Sequence, residues 1–368
     1  MILQLVTLNL HIWYNIVNYI VLYCIISKAQ EKIRKFFIVM VSIKEVAKHA
    51  GVAISTVSKV LNGYSNVSDE TKEKVRAAID ELGYVPNTIA AALSSKQGNK
   101  IALIMDPSRN TQAIDQIFMQ YLLGAIEATK EMNIEMQIIL LPTISGMEVN
   151  QIVTYLKSMG IAGVIIYSMN KEDDALKELI NRQEFPTVVI DALYVNEKTS
   201  VVSIDHEQAQ FDVAMQTVTD DDCESILYIS GKEDSYVSDS RIAGIKRLCE
   251  EKDLKLLIKV GDFSELKARN IALKYAKDYD CIVCASDLMA IGAMNALIDM
   301  DIFRPVCGYD GITLMGYVGK QMNTVDQDFY HLSSRAVYEV RELMKGAKGR
   351  KVIMPHRVIK MYYKDIIR

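Results

Sequence analysis

Seven short apolar runs recur along the chain: IALIM (101–105), MQIILL (136–141), GVIIYS (163–168), TVVID (187–191), SILYIS (225–230), DCIVCAS (280–286) and PVCGYD (305–310). Amphipathic stretches of helical period, such as QIFMQYLLGAIEATKEM and QIVTYLKSM, separate them. Strands alternating with helices predict doubly wound parallel sheets. Such sheets bind ligands outside the carboxyl ends of their strands. Several runs end there in polar residues, namely Asp106, Ser168, Asp191, Ser286-Asp287 and Asp310.

The front of the chain has a different grammar. Residues 42–63 read SIKEVAKHAGVAISTVSKVLNG. Ser42, with Glu45 three residues on, forms a capping box that opens one helix. Gly51 supplies the backbone freedom for a tight turn. The second helix, ISTVSKVL, directs Val57, Val60 and Leu61 inward and Ile54, Ser55, Ser58 and Lys59 largely outward. Ser68 caps a third helix, DETKEKVRAAIDEL, which Gly83 stops. Two short helices joined this tightly read as a helix-turn-helix whose second member enters the major groove of DNA. In the following segment Pro86 halts the third helix and Asn87 caps TIAAALSS, which is too short to persist alone in water. That suits a hinge that folds on binding.

The 368 residues suffice for two or three domains with substantial cores. A formal charge of −4 argues against nucleic acid only as an average. Residues 1–39 carry about +3, residues 40–100 about +2 and the remainder about −9. Cys24, Cys223, Cys249, Cys281, Cys284 and Cys307 show no scaffold spacing, and the CIVC pair lies in an apolar run, so they read as inert core thiols in a reducing cytoplasm. Phosphate-binding glycine loops, metal-ligand clusters and nucleophile–base pairs are all missing, which points away from an enzyme, a cofactor or a metal. Residues 1–27 contain no Lys, Arg, Asp or Glu and could span a bilayer, yet Gln4, Asn9, His11, Asn15 and Asn18 would burden such a helix. Met40 stands two residues before the first cap, so residues 1–39 read as a start codon set too early, with a membrane anchor as the alternative.

IKEVAKHAGV, STVSKVLNG, VSDETKEKV, AIDELGYVPN and the hinge pattern ending in AAAL follow one another over residues 42–95. Together they resemble the lactose-repressor (LacI/GalR) family of bacterial transcription regulators. SIDHEQA, SRIAGI, ASDLMAIGAMNAL, GYDG, TVDQD and PHRVIK stand in that family's order in the body. The resemblance implies a sequence-specific regulator, a repressor of carbohydrate-use genes. It would bind a palindromic operator as a homodimer and respond to a small molecule, a sugar, in its C-terminal domain. It places Ile54, Ser55 and Lys59 at base edges, Thr56, Ser58 and Asn62 at phosphates, and Asn87, Ala90 and the lever Leu93 in the hinge. Two residues depart from the family's habit: Lys59 stands where Arg is usual and Ala53 where a Ser or Thr cap is usual. In the effector cleft it places Arg241, Asp310 and the stacking ring of Phe263, joined by Asp191 and Asp287 at strand ends.

The expected architecture is α/β: a small all-α helix-turn-helix headpiece with a hinge helix, then a two-subdomain, doubly wound, periplasmic-binding-protein-like effector domain. Its expected limits are 1–39 for the leader, 40–85 for the headpiece, 86–99 for the hinge and linker, and 100–368 for the effector and dimerisation domain. Crossovers are expected near 198–204 and 322–328. The rival reading is an exported or anchored sugar-binding protein with residues 1–27 as its leader.

Overall fold

The computed structural model describes residues 42–61, 67–82, 98–106, 112–167, 169–218, 223–318 and 320–361. Leader residues 1–39, Asn62, the hinge with Asn87, Ala90 and Leu93, and Ser168 lie outside the described residues. The chain divides into two compact units, residues 1–94 and 95–368.

In the first unit, helices α1 (Ile43–Ala50), α2 (Ile54–Leu61) and α3 (Asp69–Leu82) surround a core of Val46, Ala47, Val57, Val75 and Ala78. The capping box forms as the sequence predicts. The Ser42 amide donates to Glu45 Oε2 at 2.6 Å, and the Glu45 amide donates back to Ser42 Oγ at 3.4 Å. Gly51 ends α1 at φ 65°, a left-handed conformation that L side chains adopt only at a cost. Ala53 offers only its carbonyl to α2, accepting from the Thr56 and Val57 amides at 2.9 and 3.2 Å.

The second unit contains two six-stranded sheets. The first has the order β11-β5-β4-β3-β1-β2, from strands β1 (Lys100–Met105), β2 (Glu135–Leu140), β3 (Gly163–Ile166), β4 (Thr187–Ile190), β5 (Thr199–Ile204) and β11 (Lys351–Met354). All its pairings are parallel. The second has the order β12-β10-β9-β8-β6-β7, from β6 (Ser225–Ser230), β7 (Lys255–Val260), β8 (Cys281–Cys284), β9 (Val306–Cys307), β10 (Met322–Asp326) and β12 (Arg357–Met361). Only β12 runs antiparallel, along β10.

Burial explains why the strands are apolar at successive positions. In β1, Ile101, Leu103 and Met105 join one core while Ala102 and Ile104 join another, so both faces of the sheet are covered. Helices α4 (Gln112–Glu131) and α11 (Phe329–Met344) cover the first face through Tyr121, Ala125, Ala336 and Val340. Helices α5 (Val149–Ser158) and α6 (Asp174–Asn181) cover the second through Ile152, Leu156, Leu176 and Leu179. In the other lobe, α7 (His206–Thr217) and α8 (Tyr236–Lys252) pack together, as do α9 (Glu265–Tyr275) and α10 (Asp287–Asp299).

The chain passes between the lobes three times: at Asp205, at Gln327-Asp328 and at Pro355-His356. The third passage has no counterpart among the two sequence-derived crossovers. Among the described residues, no helix is long and apolar enough to cross a membrane.

Gly124 of α4 lies against the start of α11, where an added Cβ would overlap the Tyr330 carbonyl. Backbone cannot give way there as a side-chain tip could. Gly124→Ala should therefore destabilise the effector unit by about 1–3 kcal/mol, despite its better helix propensity. Thermal unfolding should show a lower Tm; an unchanged or raised Tm would mean that the helices separate freely.

Candidate functional site

The carboxyl ends of both sheets face each other across a cleft of about 990 Å³, open mouth included. Asp106, Asn170 and Asp191 reach it from the ends of β1, β3 and β4, and Tyr121 from α4. Arg241, Phe263, Asp310 and Gln327 reach it from the other lobe. Four of the five effector residues expected from the sequence thus line one cavity.

Asp191 is held from both lobes. Ser203 Oγ donates to its Oδ1 at 2.8 Å, and His206 Nε2 lies 2.9 Å from the same oxygen. His206 Nδ1 is 2.9 Å from the Tyr309 hydroxyl. A neutral imidazole satisfies both contacts when Nε2–H donates to the carboxylate and Nδ1 accepts from the tyrosine. Burial depresses the His206 pKa despite the neighbouring carboxylate, in keeping with that neutral form. Burial pushes the Asp191 carboxyl up, but His206, Ser203 and the Arg241 charge outweigh it and leave the group below its ordinary range.

Arg241 is 4% exposed. Its Nη1 donates to the Ala285 carbonyl at 2.5 Å and lies 3.8 Å from Asp310 Oδ1, and its guanidinium sits 3.7 Å above the Tyr309 ring. Its Nε–H has no protein partner. Gln327 Nε2 donates to Asp310 at 2.8 Å, while its own buried Oε1 is unpartnered. Burial raises Asp310 to about 6, and Arg241 opposes that rise. Asp191, Phe263 and Asp310 all have positive φ, at 63°, 57° and 124°. Non-glycine residues held there are costly and cluster where a site demands a particular side-chain direction.

Asp287 departs from expectation. It is fully buried and off the cavity wall, with Oδ2 accepting from the Ile312 amide at 2.8 Å and Oδ1 from Thr324 Oγ1 at 2.6 Å. The helix cap beside it is Ser286, which accepts from the Met289 amide. Asp287 therefore pins the loop after Asp310 and does not line the cavity. The sequence reading did not single out Tyr121, Tyr236, Gln327 and Phe329, which also line the cavity. Gln327 follows directly on β10 within the TVDQD motif, its one available signal, and Phe329 comes just after that motif as the first residue of α11.

In the helical unit, Ile54 is 44% exposed although apolar, and Ser55 and Lys59 are exposed beside it. Thr56 and Ser58 are half-buried, and Val57 beneath them is fully buried. One face of α2 thus presents an apolar group, hydroxyls and a cation together. Among the described residues, no cluster of His, Cys, Asp or Glu could hold a metal. Cys249, Cys281, Cys284 and Cys307 are buried free thiols, and burial raises the Cys307 thiol to about 12, far from thiolate reactivity.

A two-lobed cleft in a chain that also carries a helix-turn-helix defines a DNA-binding regulator controlled by a small molecule. The chain matches the family described as "Bacterial regulatory proteins, lacI family" over residues 42–87 and "Periplasmic binding protein domain" over residues 108–348. It is 30% identical over 297 residues to the HTH-type transcriptional regulator AscG of Escherichia coli, covering 78% of this chain and 87% of that one. To the catabolite control protein A of Priestia megaterium it is 27% identical over 337 residues, covering 86% and 97%. In fold it is similar to a lac repressor dimer bound to operator and an anti-inducer, with a TM-score of 0.75 at 23% identity over 88% of this chain and 99% of that one. For a CelR–cellobiose complex the TM-score is 0.61 at 25% identity, over 87% and 98%. The protein belongs to the LacI family of bacterial transcriptional regulators. It is a regulator and not an enzyme.

Burial, and then the nearby Asp310 charge, raise the Asp287 carboxyl to about 8. Between the ordinary carboxylate range and that value, the unfolded chain has lost this proton and the native one keeps it. Stability from this group therefore falls as pH rises, by up to ~1.4 kcal/mol per unit. Asp287→Asn keeps an acceptor for Ile312 and removes the proton, so its Tm should decline less than the wild type's between pH 5 and 8. Parallel Tm profiles would show that Asp287 is already ionised when folded.

Proposed function

We propose that the protein represses genes of carbohydrate use in the cytoplasm, binding a palindromic operator as a homodimer, and that a sugar in the cleft changes its operator affinity. The observation that carries this reading is the convergence of Asp191, Asp310 and Arg241 from both lobes, with Arg241 Nε–H and Gln327 Oε1 unpartnered. A sugar hydroxyl accepts from one and donates to the other, so neighbouring hydroxyls answer both groups. Phe263 offers a face for the less polar C–H groups. Relatives named for ribose and cellobiose make the same class the first to screen.

On the DNA side, Ile54 meets a thymine methyl, Ser55 donates flexibly, and Lys59 reaches guanine O6 and N7 without the planar fork of Arg. Thr56, Ser58 and Asn62 hold phosphates, which position without specifying. In the hinge, Asn87 and Ala90 lie along the minor groove and Leu93 is the wedge that opens a central step. The working limits are 40–85 for the headpiece, 86–99 for the hinge and 100–368 for the effector domain. Ligand occupancy then changes operator affinity by a coupling free energy of ~1–3 kcal/mol.

The test is operator binding with and without each member of a sugar panel. Arg241→Ala and Asp310→Ala should each abolish the response to the best sugar while leaving DNA binding within a few-fold. Phe263→Ala should weaken that response without removing it. An Arg241→Ala protein that responds at the same sugar concentration would place the effector elsewhere. Lys59→Ala should relax preference at one or two base pairs per half-site, read by binding to single-position operator variants. Uniform weakening across all variants would instead make Lys59 a phosphate contact.

A further inference from the structure

Two loops meet at the mouth of the cleft. Residues 169–173 follow β3 in the first lobe, and residues 231–235 lead from β6 into α8 in the second. Asn170 and Ser235 form an antiparallel bridge, and the Lys171 amide donates to the Asp234 carbonyl at 2.8 Å. Lys171 Nζ donates to the Glu233 carbonyl at 2.8 Å and lies 2.7 Å from Asp239 Oδ2. The Asp173 carboxylate holds the first loop in shape by accepting from the Asn170 amide at 2.7 Å. Beside this bridge the hydroxyls of Tyr194 and Tyr236 are 2.7 Å apart, with their rings edge to face at 5.8 Å. On another stretch of the rim, Gln116 Oε1 of the first lobe accepts from the Thr313 amide and hydroxyl of the second at 3.1 and 2.9 Å.

We infer that Lys171, the Asp234 carbonyl and the Tyr194–Tyr236 pair form a clasp across the cleft mouth, and that ligand enters and leaves by breaking it. All of its bonds run from protein to protein, so the clasp needs no ligand to form. Asn170, Ser235 and Tyr236 belong both to the clasp and to the cavity wall, so opening the clasp moves the wall. The Lys171–Asp239 ion pair is partly solvent-exposed and contributes little by itself. The bridge and the half-buried tyrosines hold the lobes in register, and the lysine reinforces them. The clasp sets the rate of ligand exchange, whereas Asp191, Arg241 and Asp310 set the affinity.

The importance of the clasp for ligand exchange rests on the cleft being the effector site, but its existence can be tested with no ligand at all. Hydrogen–deuterium exchange on the full chain should show residues 169–173 and 232–236 protected together. In Lys171→Met/Tyr194→Phe, exchange in both segments should rise at least tenfold, while β1 and β6 stay as protected as in the wild type. If β1 and β6 also lose protection, Tyr194→Phe alone, which removes one hydroxyl, carries the comparison. Wild-type segments that exchange as fast as unstructured peptide would overturn the clasp. So would a rise confined to one segment, since each loop would then be held by its own lobe.

Discussion

Arg241 sets the terms for the effector cleft. A guanidinium this deeply buried has lost its water and needs compensation from fixed groups, or the lobe would be several kcal/mol less stable. The second lobe supplies that compensation incompletely. The Ala285 carbonyl takes one N–H, the Tyr309 ring lies beneath the plane, and Asp310 stands beyond direct contact at 3.8 Å. Tyr309 is in turn fixed by His206, and His206 by Asp191 of the other lobe. The three charged residues expected at the ligand are therefore one connected system. Displacing any of them alters the hydrogen bonding of the others.

The same system joins the lobes next to a passage of the chain. His206 opens α7 immediately after Asp205, where the chain first leaves the first lobe, and Asp191 belongs to the lobe left behind. A ligand that draws on Asp191 acts on a bond that spans the passage. Allosteric control requires differential contact between two arrangements of the lobes, and Asp191 is a carboxylate with partners in both of them.

How much of this the sequence displays depends on burial. All seven apolar runs form strands or strand ends: β1, β3, β4, β6, β8 and β9 are buried nearly throughout, whereas β2 is an edge strand that stays apolar although Ile138 and Leu140 are exposed. β5 does not stand out in the sequence, since Thr199, Ser200 and Ser203 interrupt its apolar residues, yet all six positions are buried; the Ser200 and Ser203 hydroxyls find partners within the fold, whereas that of Thr199 has none among the described residues. β7, reading KLLIKV, and the edge strands β11 and β12 are half-exposed, so their residues mix lysine with valine and isoleucine like any surface segment. Arg241, Asp310 and Phe263 stand out through motif resemblance and Asp191 through its place at a strand end, whereas the positive φ values of Asp191, Phe263 and Asp310 have no signal in the sequence. Asp287 misled because a carboxylate at a strand end looks alike whether it serves a ligand or a loop; only the contacts of Ile312 and Thr324 distinguish the two.

The last two strands carry a consequence for biosynthesis. β11 pairs with β5 at one edge of the first sheet, and β12 pairs with β10 at one edge of the second. Just ahead of them, α11 fills the core face of the first sheet. A nascent chain emerging from the ribosome cannot complete either lobe until β11 and β12 have been translated, although the headpiece ahead of them has its own core. During synthesis, the reader of DNA can therefore fold before the domain that governs it is complete.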